Sequence, residues 1–227
     1  MQPTERAWQG ELWLGADFCL VAGTTGHARP HAHYAHQLLM ARTDEVQALV
    51  DEQPQRGSLL VIPSNRRHAI QASEQPVITL FAEPLAFELA DLERVCRATG
   101  PDLPALAAQL QALPRRALDP RLGKALQRIR ALDDGALPAQ ELAEEAALSL
   151  SQLERLFSGT LGLSVRRLVL WQRLRQALRL AMAGDSLTSA AIAAGFADSA
   201  HFSRSVRSQF GIRADLTLRQ LKLRLLD

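Results

Sequence analysis

The chain has little cysteine, little lysine and no long apolar run. Cys19 and Cys96 are the only cysteines among 227 residues. They lack metal-type spacing and cannot build a disulfide framework, which excludes a cysteine-ligated metal centre and a stapled secreted fold. Reduced, buried thiols are the expectation. No stretch approaches the roughly 20 apolar residues that cross a bilayer, so no membrane partner is expected. The opening Met1-Gln-Pro-Thr-Glu-Arg6 lacks the basic-then-apolar order of a signal peptide, and a cytoplasmic location follows as an expectation. Lysine is confined to Lys124 and Lys222, so the positive charge is carried by arginine. Its planar fork suits bidentate contact with phosphate and base edges.

What is present is an ordinary globular composition, 47% hydrophobic and 22% charged. The length exceeds a typical single domain of about 100–150 residues and favours two. The formal charge of +2 conceals an asymmetry. Residues 1–114 hold 8 Lys+Arg against 13 Asp+Glu, whereas residues 115–227 hold 18 against 11. An acidic half of −5 is therefore joined to a basic half of +7. That pattern points to a polyanion-binding domain attached to one that need not touch the polyanion.

Up to residue 83 the segments are short, rich in Val, Leu, Phe and Trp, and punctuated by Gly10, Gly15, Gly23-Thr-Thr-Gly26, Gln53-Pro54, Gly57, Pro63-Ser-Asn65 and Gln75-Pro76. Strands are expected at 11–14, 18–22, 37–42, 46–50, 59–62, 69–71 and 77–82, as in a β-sandwich or barrel. After Pro84 the periodicity turns helical. Residues 84–134 read as a helical linker, with helices near 87–99, 103–113 and 121–132, that either pairs subunits or packs on the β-domain of its own chain. Asp133-Asp-Gly135 and Pro138 punctuate the boundary before residues 135–227.

The basic half contains an internal repeat. Leu142-Ala143 matches Ala190-Ala191, and Ala147-Leu148 matches Gly195-Phe196, at an offset of 48 residues. Leu153, Arg155 and Gly162-Leu163 match Phe202, Arg204 and Gly211-Ile212 at an offset of 49. Each copy reads as helix, tight turn, helix and a glycine stop. Small residues at 143 and 191 let two helices cross closely, Gly195 accepts a positive φ, and Ser149 and Asp198 suit the N-cap of each second helix. This is the helix-turn-helix arrangement, whose second helix enters the major groove. A generic αα repeat in an ordinary bundle is the alternative. Leu153, Leu156, Phe157, Phe202 and Val206 are expected on the buried face. Between the copies runs an arginine-rich helix, 165–183, with Leu170, Leu174, Ala177 and Leu178 as its apolar set.

Leu142-Ala-Glu-Glu-Ala-Ala-Leu-Ser149, with Leu153-x-Arg155-Leu-Phe157 and Gly162-Leu-Ser164, resembles the first motif of AraC/XylS-type transcription regulators. Ala194-Gly-Phe-Ala-Asp-Ser-Ala-His-Phe-Ser-Arg204, with Phe210-Gly211, is similar to that family's second signature. The resemblance covers about 137–218. It departs at Ala190, where the family usually has Ile, at Arg213-Ala214, usually Thr-Pro, and at Val206, usually Phe. It implies a DNA-binding regulator that reads double-stranded operator DNA through Ser151, Glu154 and Arg155 in the first unit. In the second unit the implied readers are Ser199, Ala200, His201 and Arg204. Arg suits guanine and Glu suits cytosine N4. A homodimer and contact with RNA polymerase are implied partners.

In the acidic half, His31-x-His33-x-x-x-Gln37 and Gly57-x-x-x-x-x-Pro63-x-Asn65-x-x-His68 resemble the two cupin motifs, with Gln37 in place of the acid and Asn65 in place of the second glycine. Alternation along a strand would turn His31 and His33 to one side, and His68 would join them from a neighbouring strand. Three imidazoles and an amide oxygen can hold a divalent transition metal. The same residues can instead line a pocket for a small organic effector, with Tyr34 and His36 adding polar contacts. The expected fold is therefore α+β and multidomain: a cupin-like barrel over 1–83, a helical linker, and an all-α tandem helix-turn-helix over 135–227. The expected function is a transcription regulator controlled by an effector or metal. Two other readings stay open: a metal-dependent cupin enzyme of dioxygenase or isomerase type with a helical appendage, and an anti-activator acting through protein contact alone.

Overall fold

Short apolar segments between turn residues form strands throughout the first half of the chain. The computed structural model describes residues 8–26, 28–71, 76–131, 139–162 and 164–226. Its first eight strands are β1 (Gln9–Leu14), β2 (Phe18–Thr24), β3 (His36–Ala41), β4 (Val46–Val50), β5 (Gln53–Gly57), β6 (Leu59–Ile62), β7 (His68–Ile70) and β8 (Pro76–Ala82). All seven expected strands are present, 46–50 and 59–62 with the expected ends and the others with ends shifted by one or two residues. The eighth, β5, was expected as a turn. Its residues Gln-Pro-Gln-Arg-Gly carry no apolar side to read, yet it pairs with β4 through a hairpin in which Asp51 and Glu52 take positive φ. As an edge strand it tolerates Pro54.

A ninth strand, β9 (Leu221–Leu225), corrects the expectation of an all-α C-terminal region. It runs parallel to β1, from Gly10 opposite Leu221 to Leu14 opposite Leu225. The Arg224 guanidinium lies 4.2 Å from the Trp13 ring centre. The strands make a six-stranded sheet, β6-β3-β8-β2-β1-β9, and a three-stranded sheet, β5-β4-β7. They do not close into one barrel, because β4, β5 and β7 pair only among themselves. A single antiparallel bridge between His31 and His68 reaches the smaller sheet from outside it.

Two helices, α1 (Leu89–Thr99) and α2 (Leu103–Ala112), bury Leu92, Val95, Cys96, Leu106, Ala107 and Leu110 in one core with Phe18, Leu20, Leu38, Ile78 and Leu80 of the large sheet. The apolar faces of these two helices thus pack on the sheet of their own chain. Arg115 finishes this region. Its Nε lies 2.9 Å from the buried Asp17 carboxylate and its guanidinium 4.5 Å from the Phe87 ring centre.

The remaining helices are α3 (Pro120–Arg130), α4 (Ala139–Glu145), α5 (Leu150–Leu161), α6 (Val165–Met182), α7 (Leu187–Ala193), α8 (Ser199–Phe210) and α9 (Ala214–Thr217). The punctuation at 133–135 and Pro138, the 134/135 boundary, Gln75, Leu163 and the opening residues 1–6 lie outside the described residues. By contacts the chain divides into two compact units: residues up to Arg115 together with those from Ser203 onward, and Arg116–Phe202. The second unit has its own core, with Leu122, Ala125, Leu126 and Ile129 of α3 buried alongside Leu142, Leu153, Phe157, Leu168, Trp171 and Leu174. Helix α6 buries Val165, Leu168, Trp171, Leu174 and Ala177, whereas Leu170 and Leu178 are only half-buried. Its buried stripe is thus rotated from the expected one.

Candidate functional site

The repeat seen in the sequence is a repeat of hydrogen bonds. After α4, the N–H groups of Ala146, Ala147 and Leu148 donate to the carbonyls of Leu142, Glu144 and Ala143 at 3.1, 3.0 and 2.8 Å. After α7, those of Ala194, Gly195 and Phe196 donate to Ala190, Ile192 and Ala191 at 3.1, 2.9 and 2.9 Å. The pattern is the helix-ending motif in which one left-handed residue lets the chain reverse. Leu142, Ala143, Ala190 and Ala191 are all fully buried, as close helix crossing requires.

The second helix of each copy is capped as expected. The Ser149 hydroxyl and the Gln152 side chain form a reciprocal capping box at the start of α5. At the start of α8, the Asp198 carboxylate accepts from the His201 N–H. Leu153, Phe157, Phe202 and Val206 are buried, and Leu156 is half-buried. On α5, Ser151 and Arg155 are exposed and Glu154 is half-buried. On α8, Ala200, His201 and Arg204 are exposed and Ser199 is half-buried. Positions three and four apart share a helix face, so His201 and Arg204 present one surface together. The departure at Arg213 is visible in α9, whose N-cap side chain does not cap the helix and donates instead to the Asp215 carboxylate.

The three histidines of the acidic half do come together. One ligand nitrogen from each of His31, His33 and His68 lies within 4.8 Å of the others, and all three residues are buried. The strand geometry expected of His31 and His33 is not what achieves this. His31 forms a one-residue bridge with His68, with N–H···O distances of 2.9 and 2.8 Å in the two directions, and His33 lies in the loop before β3. Asn65 holds that loop by donating its N–H to the His33 carbonyl at 2.8 Å. Its own φ is +61°, which explains why Asn stands where the cupin pattern has glycine.

Each ring is oriented by its neighbours. The Nδ1 atoms of His31, His33 and His68 lie 2.7, 3.0 and 2.8 Å from the carbonyl oxygens of Arg29, Ala35 and Arg66. A carbonyl only accepts, so in His31 and His68 Nδ1 is the protonated nitrogen and Nε2 carries the lone pair, whereas His33 faces an acceptor oxygen at each of its two nitrogens. Burial holds all three below the ordinary histidine pKa, His31 at about 4, with the neighbouring His68 adding to the shifts of His31 and His33. The rings are therefore neutral near pH 7. The Nε2 of His68 is buried with no hydrogen-bond partner among the described residues. Gln37, buried on β3, places its amide oxygen Oε1 3.2 Å from the His33 Nε2.

Neutral imidazoles held in orientation by main-chain carbonyls, with one nitrogen of each close to the others, are what a divalent metal requires of its ligands. At bond lengths near 2.1 Å, tetrahedral nitrogens stand about 3.4 Å apart, a modest contraction of the present cluster. Among the described residues no carboxylate joins the cluster. His36 is occupied elsewhere, its Nδ1 accepting from the Ser64 N–H at 3.0 Å. Residues not anticipated around the cluster are Arg29, Phe81 and Phe210. Phe81 and Phe210 place their ring centres 5.5 and 5.7 Å from that of His33.

Two helix-turn-helix copies together with a β-rich domain define a DNA-binding protein of the two-domain regulator class. A helix-turn-helix domain family matches residues 142–220. A transcriptional regulator with an AraC-type DNA-binding domain from Chromobacterium violaceum is 32% identical over 41% of this chain and 85% of that one, with a TM-score of 0.40. The chain belongs to the AraC-type transcription regulators. The fold is also that of ToxT from Vibrio cholerae strain SCE256. An apo variant is 10% identical over 91% of this chain and 98% of that one, with a TM-score of 0.62. The wild-type protein bound to an unsaturated fatty acid is 11% identical over 91% and 96%, with a TM-score of 0.60. No curated protein matches the chain. Membership makes this a DNA-binding regulator and not the metal-dependent enzyme that the cupin motifs left open. Among the described residues no helix is long and apolar enough to cross a membrane.

Proposed function

We propose that this regulator reads operator DNA with the exposed faces of α5 and α8, and that a divalent transition metal held by His31, His33 and His68 controls it. Ser151, Glu154 and Arg155 of α5 and Ser199, Ala200, His201 and Arg204 of α8 are the proposed reading residues. Gln37 is the proposed fourth donor. The observation that carries the control site is the buried Nε2 of His68, which has no hydrogen-bond partner among the described residues and belongs to a cluster of neutral imidazoles. A bare buried acceptor is costly unless something fills the role of donor or Lewis acid. Bound metal would supply a fixed positive charge and lock the three rings.

A small organic effector is the second reading, supported by the fatty acid bound to a protein of the same fold. Homodimerisation, contact with RNA polymerase and a cytoplasmic location belong to the same proposal and rest on the family, not on a surface of this chain. Selection of bound fragments from genomic DNA, followed by footprinting, tests the DNA reading. Wild type is expected to protect a discrete operator, and Arg204→Ala to lose that footprint while keeping its fold and weak general DNA affinity. An unchanged footprint for Arg204→Ala would remove the assignment.

A further inference from the structure

The histidine cluster is built against the end of a helix that bears proposed DNA-reading residues. Arg29 stands between them. Its carbonyl receives the His31 Nδ1–H at 2.7 Å, and its N–H donates to the Gly211 carbonyl at 3.1 Å. Gly211 ends α8, giving its N–H to the Arg207 carbonyl at 2.9 Å with φ at +66°. A Cβ at this position would stand 2.8 Å from the His31 Nδ1, and closer still to the Arg29 carbonyl oxygen. One step back, the Phe210 ring packs on His33 at 5.7 Å and on Phe81 at 5.9 Å between centres. Two of the three histidines are thus each tied to the last turn of α8, one through a main-chain residue and one through a ring.

We propose that the occupancy of the histidine site sets the stability of the C-terminal end of α8, with the Arg29 main chain and the Phe210 ring as the positioning elements. The inference rests on the metal reading above. Ligation draws nitrogens now up to 4.8 Å apart toward the roughly 3.4 Å of a tetrahedral site. His31 cannot shift without carrying the carbonyl it holds, and His33 cannot turn without moving against Phe210. Close-packed interiors transmit such displacements instead of absorbing them. Once the rings are locked, the surface that receives Phe210 and Gly211 is fixed, and the last turns of α8 open less often. The same helix, Ser199–Phe210, carries the proposed reading residue Arg204.

Hydrogen–deuterium exchange on the full chain tests this, comparing chelated protein with protein given one equivalent of Zn2+, with Zn2+ binding measured by calorimetry on the same samples. Amides of residues 203–211 are expected to exchange at least about fivefold more slowly with Zn2+ in wild type, the lower end of ordinary coupling between sites. Phe210→Ala is expected to bind Zn2+ and lose most of the slowing, with Phe210→Leu intermediate. His68→Ala is expected to lose both binding and slowing. If wild type binds no Zn2+, the metal reading falls and the coupling with it. If Zn2+ binds and exchange over 203–211 is unchanged, the coupling alone is overturned. Equal slowing in wild type and Phe210→Ala would overturn the assigned route. The wild-type comparison stands even if a variant fails to fold.

Discussion

Ala147 and Gly195 occupy the same place in the two helix-turn-helix copies and hold the same left-handed backbone, with φ of +54° and +78°. Glycine adopts that conformation freely, whereas alanine pays about 1–2 kcal/mol for it. The first turn therefore carries strain that the second avoids, and nothing else in its hydrogen bonding differs.

Ala147→Gly is accordingly expected to stabilise the protein, by up to about 1 kcal/mol once the extra freedom of glycine in the unfolded chain is offset. A urea titration checks it through a higher midpoint at unchanged slope. Gly195→Ala should act in the opposite direction and by more, since its Cβ would also meet the Arg173 guanidinium at 3.1 Å.

The buried histidines make stability pH-dependent in a definite direction. Their folded pKa values are lowered, His31 to about 4 from 6.5, so between those values the unfolded chain binds more protons than the folded one. Stability is full above about pH 6.5 and falls as pH drops toward 4. The His31 shift alone corresponds to a loss on the order of 3 kcal/mol across that window. Urea midpoints of chelated protein between pH 7.5 and 4.5 should fall steadily. A flat profile would mean that the rings are not buried neutral.

Arg166 and Arg167 are exposed at the start of α6, away from both proposed reading helices in sequence. They are proposed as phosphate contacts. Their joint replacement by alanine should weaken binding to all DNA sequences alike. It should also lower the salt slope of log K by roughly two. Loss of sequence preference without a change in slope would place them among the base readers instead.

Burial pushes the Cys96 thiol up to about 12, while Cys19 is half-buried. Under native conditions at pH 8, Cys96 should resist iodoacetamide and become reactive only with global unfolding, because the thiolate is the nucleophile. Mass mapping of the labelled cysteine distinguishes the two.

Much of this was legible in the sequence because it rests on local rules. Seven strands, the repeat, both N-caps and the buried faces of α5 and α8 follow from alternation, helical period and capping chemistry. Strand β5 escaped because an exposed edge strand has no apolar side to reveal it. Strand β9 carries a readable alternation, Leu-Lys-Leu-Arg-Leu, but its partner β1 lies at the opposite end of the chain. The histidines were found through their spacing, yet for a partly mistaken reason: a one-residue bridge and a loop pinned by Asn65, not a continuous strand, bring them together. Arg29, Phe81 and Phe210 carried no signal at all, since their importance depends on contacts between segments distant in sequence.

Control of DNA binding by the histidine site is read from the operator affinity of the full chain at fixed salt, chelated and with one equivalent of Zn2+. Affinity is expected to change by at least about fivefold between the two states, the smallest coupling expected of a regulatory site, and the change to be lost in His68→Ala. Equal affinities in the two states, in protein shown to have taken up the metal, would contradict it.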